Sequence, residues 1–160
     1  MTHQDDLRLL LDLEEIRRLK YAYFRCVDTK DWDGVSACFV PEATASYPAQ
    51  RCADREAILA FLTASLVPDL VTMHHGHHPE ISVDGDEARG TWYLHDRVYA
   101  PAHDFALEGA ALYEDRYVRS PEGWRMVHTG YERIFEATTT TAGLTVEQGP
   151  RSRGERPGAT

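Results

Sequence analysis

Four of the chain's eight histidines lie within five residues, at His74, His75, His77 and His78. Histidine is the side chain whose ordinary pKa lets it gain or lose a proton near neutral pH, and its neutral ring nitrogens are common metal ligands. This segment is therefore where proton transfer or metal binding is expected.

Side chains alternate between the two faces of a β-strand. His74 and His78 are thus expected on one face, about 13 Å apart, with His75 and His77 on the other. If His74 faces a pocket, His78 is a candidate substrate-binding residue. Zinc is the rival interpretation because strand neighbours can chelate it, which would make the protein a metalloenzyme. No cysteine or glutamate lies at a recognised metal spacing, so the pattern favours proton chemistry without a metal or cofactor.

The composition limits the class of protein. A chain of 160 residues, 42% of them hydrophobic, predicts one domain. A net charge of −9 without a basic stripe argues against nucleic-acid binding. No apolar run is long enough for a membrane span, and the acidic N-terminus does not resemble a secretory signal. Three cysteines without a Cys-x-x-Cys pair are expected as reduced, buried side chains in the cytoplasm.

The hydrophobic periodicity changes along the chain. Up to Leu66 the apolar residues recur every three or four positions, which predicts helices at Asp6–Asp28, Trp32–Phe39 and Asp54–Leu66. Lys20 falls among the charged residues of the first helix, on its expected solvent face. From Val71 the period is two, which predicts four long strands. These are Val71–Val83, Glu87–Tyr99, Phe105–Arg119 and Trp124–Ala137.

Helices followed by a meander of strands predict an α+β fold with segregated elements. A strongly curved antiparallel sheet, with the N-terminal helices across its open side, would form a cone-shaped structure with a deep pocket, a usual place for a small ligand. The domain is expected to span residues 1–137. The threonine- and glycine-rich residues 138–160 are expected to form a mostly disordered tail.

Several segments resemble the SnoaL-like branch of the NTF2-like superfamily. Residues 23–32 are similar to its first-helix signature and residues 72–81 to its central strand, and the similarity continues through residues 88–96 and 113–125. The branch includes bile acid 7α-dehydratase, scytalone dehydratase, a hexachlorocyclohexane dehydrochlorinase and polyketide cyclases. The resemblance implies a cone-shaped α+β barrel and leaves the reaction open, since one fold hosts many activities.

The resemblance also implies roles for individual residues. Asp28 and His74 match the paired aspartate and histidine of the dehydratases and the dehydrochlorinase. Tyr23 matches a tyrosine of the bile acid dehydratase pocket, and Asp96 and Arg133 fall near further polar positions of that pocket. A carboxylate that accepts one imidazole N–H leaves the other ring nitrogen free to act as a base. The alternative is that Asp28 ends a helix and His74 is a core histidine.

Strand alternation adds candidate substrate-binding residues. Trp92 shares a face with Asp96, whose carboxylate needs a partner if it is buried. Three interpretations remain open for Asp96: it binds a substrate hydroxyl, it pairs with Arg133, or it lies at the barrel mouth. Thr129 shares a face with Arg133, which would recognise a ligand carboxylate or form a salt bridge. Tyr113 is expected to line the pocket or an interface.

The predicted function is a cofactor-free, dehydratase-like lyase acting on a small hydrophobic cyclic molecule. His74, held by Asp28, would remove a proton next to a carbonyl, and Tyr23 would stabilise the oxyanion or help a hydroxyl leave. An isomerase or polyketide cyclase would use the same pair, and a non-catalytic ligand-binding protein is a further alternative. Long strands and the resemblance favour a homo-oligomer, a trimer or dimer, associating through the outer sheet face.

Overall fold

The structure, a computed structural model, describes residues 3–155. Within this range the helices are α1 (His3–Asp28), α2 (Trp32–Ala37) and α3 (Arg55–Ser65). The strands are β1 (Phe39–Tyr47), β2 (Gln50–Cys52), β3 (Val71–Asp84), β4 (Glu87–Ala100), β5 (Phe105–Ser120) and β6 (Gly123–Thr139). Short 3-10 turns occupy Pro101–His103 and Pro150–Arg153. None of the helices within the described range is long and apolar enough to cross a membrane.

Aspartates start the two short helices, because a carboxylate can accept from the unpaired N–H groups of a first helical turn. Asp31 accepts from Gly34 N at 3.2 Å, and Asp54 accepts from Ala57 N at 2.7 Å. Helix α2 ends at Ala37, before the expected Phe39, because Phe39 already pairs with strand β6.

The six strands form one curved sheet in the order β2-β1-β6-β5-β4-β3. Neighbours are antiparallel except β1 and β6, which are parallel. The sheet is not closed, and the helices lie across it, so the predicted α+β class is confirmed. The four predicted strands are present and extend one or two residues further, whereas the short edge strand β2 was not predicted.

The expected solvent position of Lys20 is wrong. Its side chain is fully buried, and its Nζ lies 2.7 Å from Oδ2 of Asp115, which is equally buried. Asp115 also accepts hydrogen bonds from Tyr117 Oη at 2.8 Å and Thr129 Oγ1 at 2.7 Å, and Tyr117 Oη accepts from Trp92 Nε1 at 2.9 Å. Burial lowers the pKa of Lys20, and the Asp115 charge opposes that change. This network ties α1 to the centre of the sheet.

The three cysteines, Cys26, Cys38 and Cys52, are free and buried, as predicted. Burial raises the pKa of the Cys38 thiol to about 12, which keeps it protonated and unreactive at neutral pH.

The domain's last strand continues past the predicted boundary at residue 137 to Thr139. Just beyond it, Thr141 is buried and donates to Asp104 through its backbone N at 2.9 Å and its Oγ1 at 3.0 Å. Gln148 donates to the carbonyl of Pro68 at 2.6 Å. The disordered tail stays a prediction, and its residues 156–160 lie outside the described range.

Candidate active site

Asp28 is the last residue of α1, where the negative end of the helix dipole disfavours a carboxylate. Strand β3 compensates by supplying three donors. Thr72 Oγ1 donates to Oδ1 at 2.8 Å, the backbone N of His74 donates to Oδ2 at 2.9 Å, and His74 Nδ1 lies 2.6 Å from Oδ1. The contact between Asp28 and His74 expected from the resemblance is therefore present, and it fixes the end of α1 on β3.

The arrangement determines which nitrogen of His74 is available. An ionised carboxylate only accepts hydrogen bonds, so the proton facing Asp28 must be on Nδ1. Within residues 3–155, Nε2 of His74 has no hydrogen-bonding partner. The His74 and Asp28 side chains are 14% and 22% exposed, so the pair is mostly shielded but still reachable. This geometry gives a base with a free lone pair.

Phe24 orients the His74 ring. The two rings are nearly parallel, 5° apart, with centroids separated by 6.2 Å. Gly76 follows His74 on the same face of β3, and a Cβ at Gly76 would overlap the Phe24 ring. The glycine therefore makes the room that the phenylalanine occupies. A glycine inside a strand pattern signals such a close approach, and this signal was available in the sequence.

Asp96 lies directly opposite His74 in the β3–β4 register. Cβ atoms of such pairs are about 4.5–5.5 Å apart. Arg133 binds Asp96 with two hydrogen bonds, of 2.5 Å and 2.9 Å, so a salt bridge is the alternative that the structure contains. Gly109, opposite Asp96 on β5, leaves space for this pair, because a Cβ there would lie 2.7 Å from Arg133 Nη1.

Tyr23 is 2% exposed, and its hydroxyl lies 3.2 Å from the hydroxyl of Tyr47. Burial raises its pKa well above the ordinary value of 10.0, so the phenol stays protonated. Among residues 3–155, the aromatic ring that stacks on His74 is that of Phe24. Tyr113 is also buried, and its ring meets Phe24 edge to face at 5.7 Å. The catalytic role of Tyr23 and the pocket role of Tyr113 stay predictions.

Trp92 and Thr129 are both fully buried and belong to the Lys20–Asp115 network. The indole N–H and the hydroxyl proton are donated within that network. Both residues thus take part in the buried network that ties α1 to the sheet, and their predicted substrate contacts remain predictions.

The expected placement of His78 on the His74 face is wrong. The β3–β4 register shifts between His77 and Glu80, and His78 adopts a left-handed backbone with φ of 46°. Its side chain is exposed, and its ring contacts His77 at 5.8 Å. The bulge ends the strict alternation from which the 13 Å spacing was expected.

A cleft of about 630 Å³ lies between the β1–β2 turn and strands β5 and β6. Its lining includes Tyr47, Tyr131 and Arg133 but neither Asp28 nor His74. Arg133 connects the two regions, because it lines the cleft while holding the carboxylate that faces His74 across the sheet.

Known proteins share this fold. A hexachlorocyclohexane dehydrochlorinase from Novosphingobium barchaimii superposes with a TM-score of 0.78 at 16% identity, covering 90% of this chain and 99% of that chain. An NTF2-like protein from Novosphingobium aromaticivorans superposes with a TM-score of 0.69 at 22% identity, covering 82% and 87%. These similarities concern the fold.

The sequence itself identifies the family. An uncharacterized protein of Mycobacterium tuberculosis is 27% identical over 128 residues, which are 78% of this chain and 87% of that protein. The profile of the SnoaL-like domain matches residues 8–130, which include Asp28, His74 and Asp96. The chain therefore belongs to the SnoaL-like domain family, on an NTF2-like fold.

Proposed function

We propose that this protein is a cofactor-free lyase that eliminates water from a small hydrophobic cyclic molecule. The observation that carries the proposal is the Asp28–His74 contact at 2.6 Å, which leaves Nε2 of a shielded imidazole without a partner among the residues that the structure describes. Such a base, held in place by a carboxylate, contributes roughly 10²–10⁴-fold to a reaction rate.

The reaction begins when Nε2 of His74 removes a proton from the carbon next to a carbonyl. The C–H electron pair moves to form an enolate. Collapse of the enolate forms the C=C bond and breaks the bond to the hydroxyl on the β carbon, which leaves with the proton returned by His74 as water. Asp28 stabilises the imidazolium that exists between the two steps.

A hydrogen-bond donor is needed where the enolate oxygen develops. We assign this role to Tyr23, whose burial keeps its phenol protonated and able to donate. Reaching the oxygen requires Tyr23 to exchange its contact with Tyr47 for one with the substrate.

The cleft suggests the kind of substrate. Its volume of about 630 Å³ falls in the range of small-molecule sites, roughly 300–1,000 Å³. The aromatic rings of Tyr47 and Tyr131 favour a flat hydrophobic molecule. Arg133 would supply a cation for a carbonyl or carboxylate oxygen by exchanging a hydrogen bond to Asp96 for one to the ligand. The ligand would extend from this cleft past Arg133 towards His74.

The known proteins of similar fold support an elimination, since one is a dehydrochlorinase. The same base would serve an isomerase or polyketide cyclase if the proton returned to carbon or the carbanion attacked a second carbonyl. Product analysis separates these outcomes.

A panel of cyclic β-hydroxy ketones tests the proposal, with enone absorbance reporting elimination and NMR in D₂O reporting proton abstraction. We expect the wild-type protein to convert at least one member. His74→Ala should lower turnover at least 100-fold with an unchanged circular dichroism spectrum, whereas His103→Ala, at an exposed histidine, should be unaffected. Wild-type turnover by His74→Ala would remove His74 from the mechanism. If no panel member shows elimination or deuterium uptake, the result would favour a non-catalytic binding protein.

A further inference from the structure

Three imidazoles meet on the outer face of the sheet, away from the Asp28–His74 pair. His75 and His77 are alternate residues of β3, and His95 on β4 lies directly opposite His75. His74 and Asp96, the neighbours of His75 and His95, occupy the inner face, because adjacent strand residues point to opposite sides. The three histidines are therefore separate from the proposed catalytic site.

Their spacing is close to that of a metal site. One ring nitrogen from each of the three residues lies within 4.8 Å of the other two. The ring centroids of His75 and His77 are 5.8 Å apart, and those of His75 and His95 are 6.4 Å apart. Tetrahedral zinc with Zn–N bonds of 2.0–2.1 Å needs nitrogens about 3.4 Å apart. Because His75 and His77 are exposed, rotation of their side chains can bring the ring nitrogens to the separation that zinc needs.

Glu108 on β5 prepares the third ligand. Its Oε1 lies 2.9 Å from Nε2 of His95 and 3.1 Å from Nη2 of Arg97. A carboxylate that accepts the Nε2 proton leaves the lone pair on Nδ1, and such carboxylate–histidine pairs support the ligands of many metal sites. Arg97 neutralises part of the Glu108 charge and holds the carboxylate in place.

We propose that His75, His77 and His95 bind one divalent transition-metal ion of the zinc type. Three imidazoles suit zinc, copper and nickel, and they leave a fourth position for water or another ligand. The sequence favours chemistry without a metal because no cysteine or glutamate lies at a recognised metal spacing. His95 is 18 positions beyond His77, and only the β3–β4 pairing brings it into the set.

Metal titration of the full chain after EDTA treatment and dialysis tests this proposal. Zn²⁺ is followed by calorimetry, and Co²⁺ by the visible absorption of a tetrahedral complex. We expect one ion per chain. His95→Ala should weaken binding at least 10-fold, and Glu108→Gln should weaken it about 10-fold by releasing the His95 ring.

His78→Ala is the matched control, because His78 belongs to the same histidine-rich segment but not to the three-residue site. Its affinity should stay within twofold of wild type. Unchanged affinity in His95→Ala, or an equal loss in His78→Ala, would show that the 74–78 segment binds metal only as a local histidine string. Either result, or no binding by the wild-type chain, would overturn the proposal.

Discussion

Two polar pairs tie α1 to the sheet, and they differ in what they leave free. The Lys20–Asp115 pair is fully excluded from solvent, and Asp115 is further bonded by Tyr117 and Thr129. The Asp28–His74 pair is 22% and 14% exposed, and one imidazole nitrogen has no partner within the described residues. The first pair fixes the position of the helix, whereas the second leaves an imidazole nitrogen available for proton transfer.

A third connection between α1 and the sheet resembles the buried Lys20–Asp115 pair. Asp12, Lys20 and Asp28 are each eight residues apart on α1. Asp12 accepts two hydrogen bonds from Arg119, at 2.6 Å and 2.8 Å, and one from Trp124 at 3.2 Å. Two buried connections thus hold the helix along its length, while at its C-terminal end the Asp28–His74 contact leaves one imidazole nitrogen without a partner among the described residues. All three connections contain a hydrogen-bonded carboxylate, so the proposed reactivity depends on the ring nitrogen of His74 that has no partner among the described residues.

The largest expected change in stability comes from removing the cation of the buried Lys20–Asp115 pair. Lys20→Met leaves the Asp115 carboxylate buried without its cation, which should lower the free energy of unfolding by about 3–5 kcal/mol. Urea denaturation followed by circular dichroism measures it. The double variant Lys20→Met/Asp115→Asn should recover part of the loss, because no charge is then left buried.

Arg18→Met is the matched control on the same helix. Arg18 pairs with Glu14 four residues earlier, and both are well exposed, at 75% and 48%. Such pairs contribute only about 0.3–0.5 kcal/mol. Equal losses in Arg18→Met and Lys20→Met would contradict the contrast between buried and exposed pairs.

The Asp12 connection should give a smaller, pH-dependent change. Its hydrogen bonds to Arg119 hold the pKa of Asp12 below the ordinary value of 3.8. The stabilisation is therefore complete above that value and is lost as the pH falls through the folded-state pKa. Asp12→Asn should lower the free energy of unfolding at pH 7 by about 1.5–3 kcal/mol. Denaturation curves from pH 7 to pH 3 should show the difference from wild type shrinking; a constant difference would exclude the carboxylate charge as its source.

The smallest expected loss of stability comes from a variant that tests how Phe24 supports the Asp28–His74 pair. Gly76→Ala forces the Phe24 ring away from its position against His74. Because the ring is the far end of a side chain, the loss should be about 1 kcal/mol, the low end of overpacking effects. The fold-loss in turnover should exceed what the small loss of folding free energy explains, since the His74 ring loses its stacking partner. Gly149→Ala, with open space around its Cβ, should change neither; turnover unaffected in Gly76→Ala would contradict the orienting role of Phe24.

Much of the fold was predictable because hydrophobic period reports local structure. The long helix and the four long strands follow from it to within about two residues at most ends. Strand β2 was missed because three residues, Gln50–Cys52, are too few to show a period. The burial of Lys20 was missed because its partner, Asp115, is brought to it only by the tertiary fold.

The site was predictable where a resemblance supplied the pairing. Spacing alone does not bring Asp28 to His74, and composition alone does not indicate that Phe24 stacks on the imidazole. The position of His78 failed because alternation assumes a regular ladder, and the bulge after His77 breaks it. The grouping of His95 with His75 needed the strand register, which a single sequence does not contain.

The most direct test of the central claim is the tautomer of the neutral His74 ring, measured by ¹⁵N NMR of the imidazole nitrogens. The Asp28 contact predicts a proton on Nδ1 and a free lone pair on Nε2, with this preference weakened in Asp28→Asn. A spectrum of the wild-type protein showing the proton on Nε2 would contradict the account, because the nitrogen assigned as the base would already be protonated.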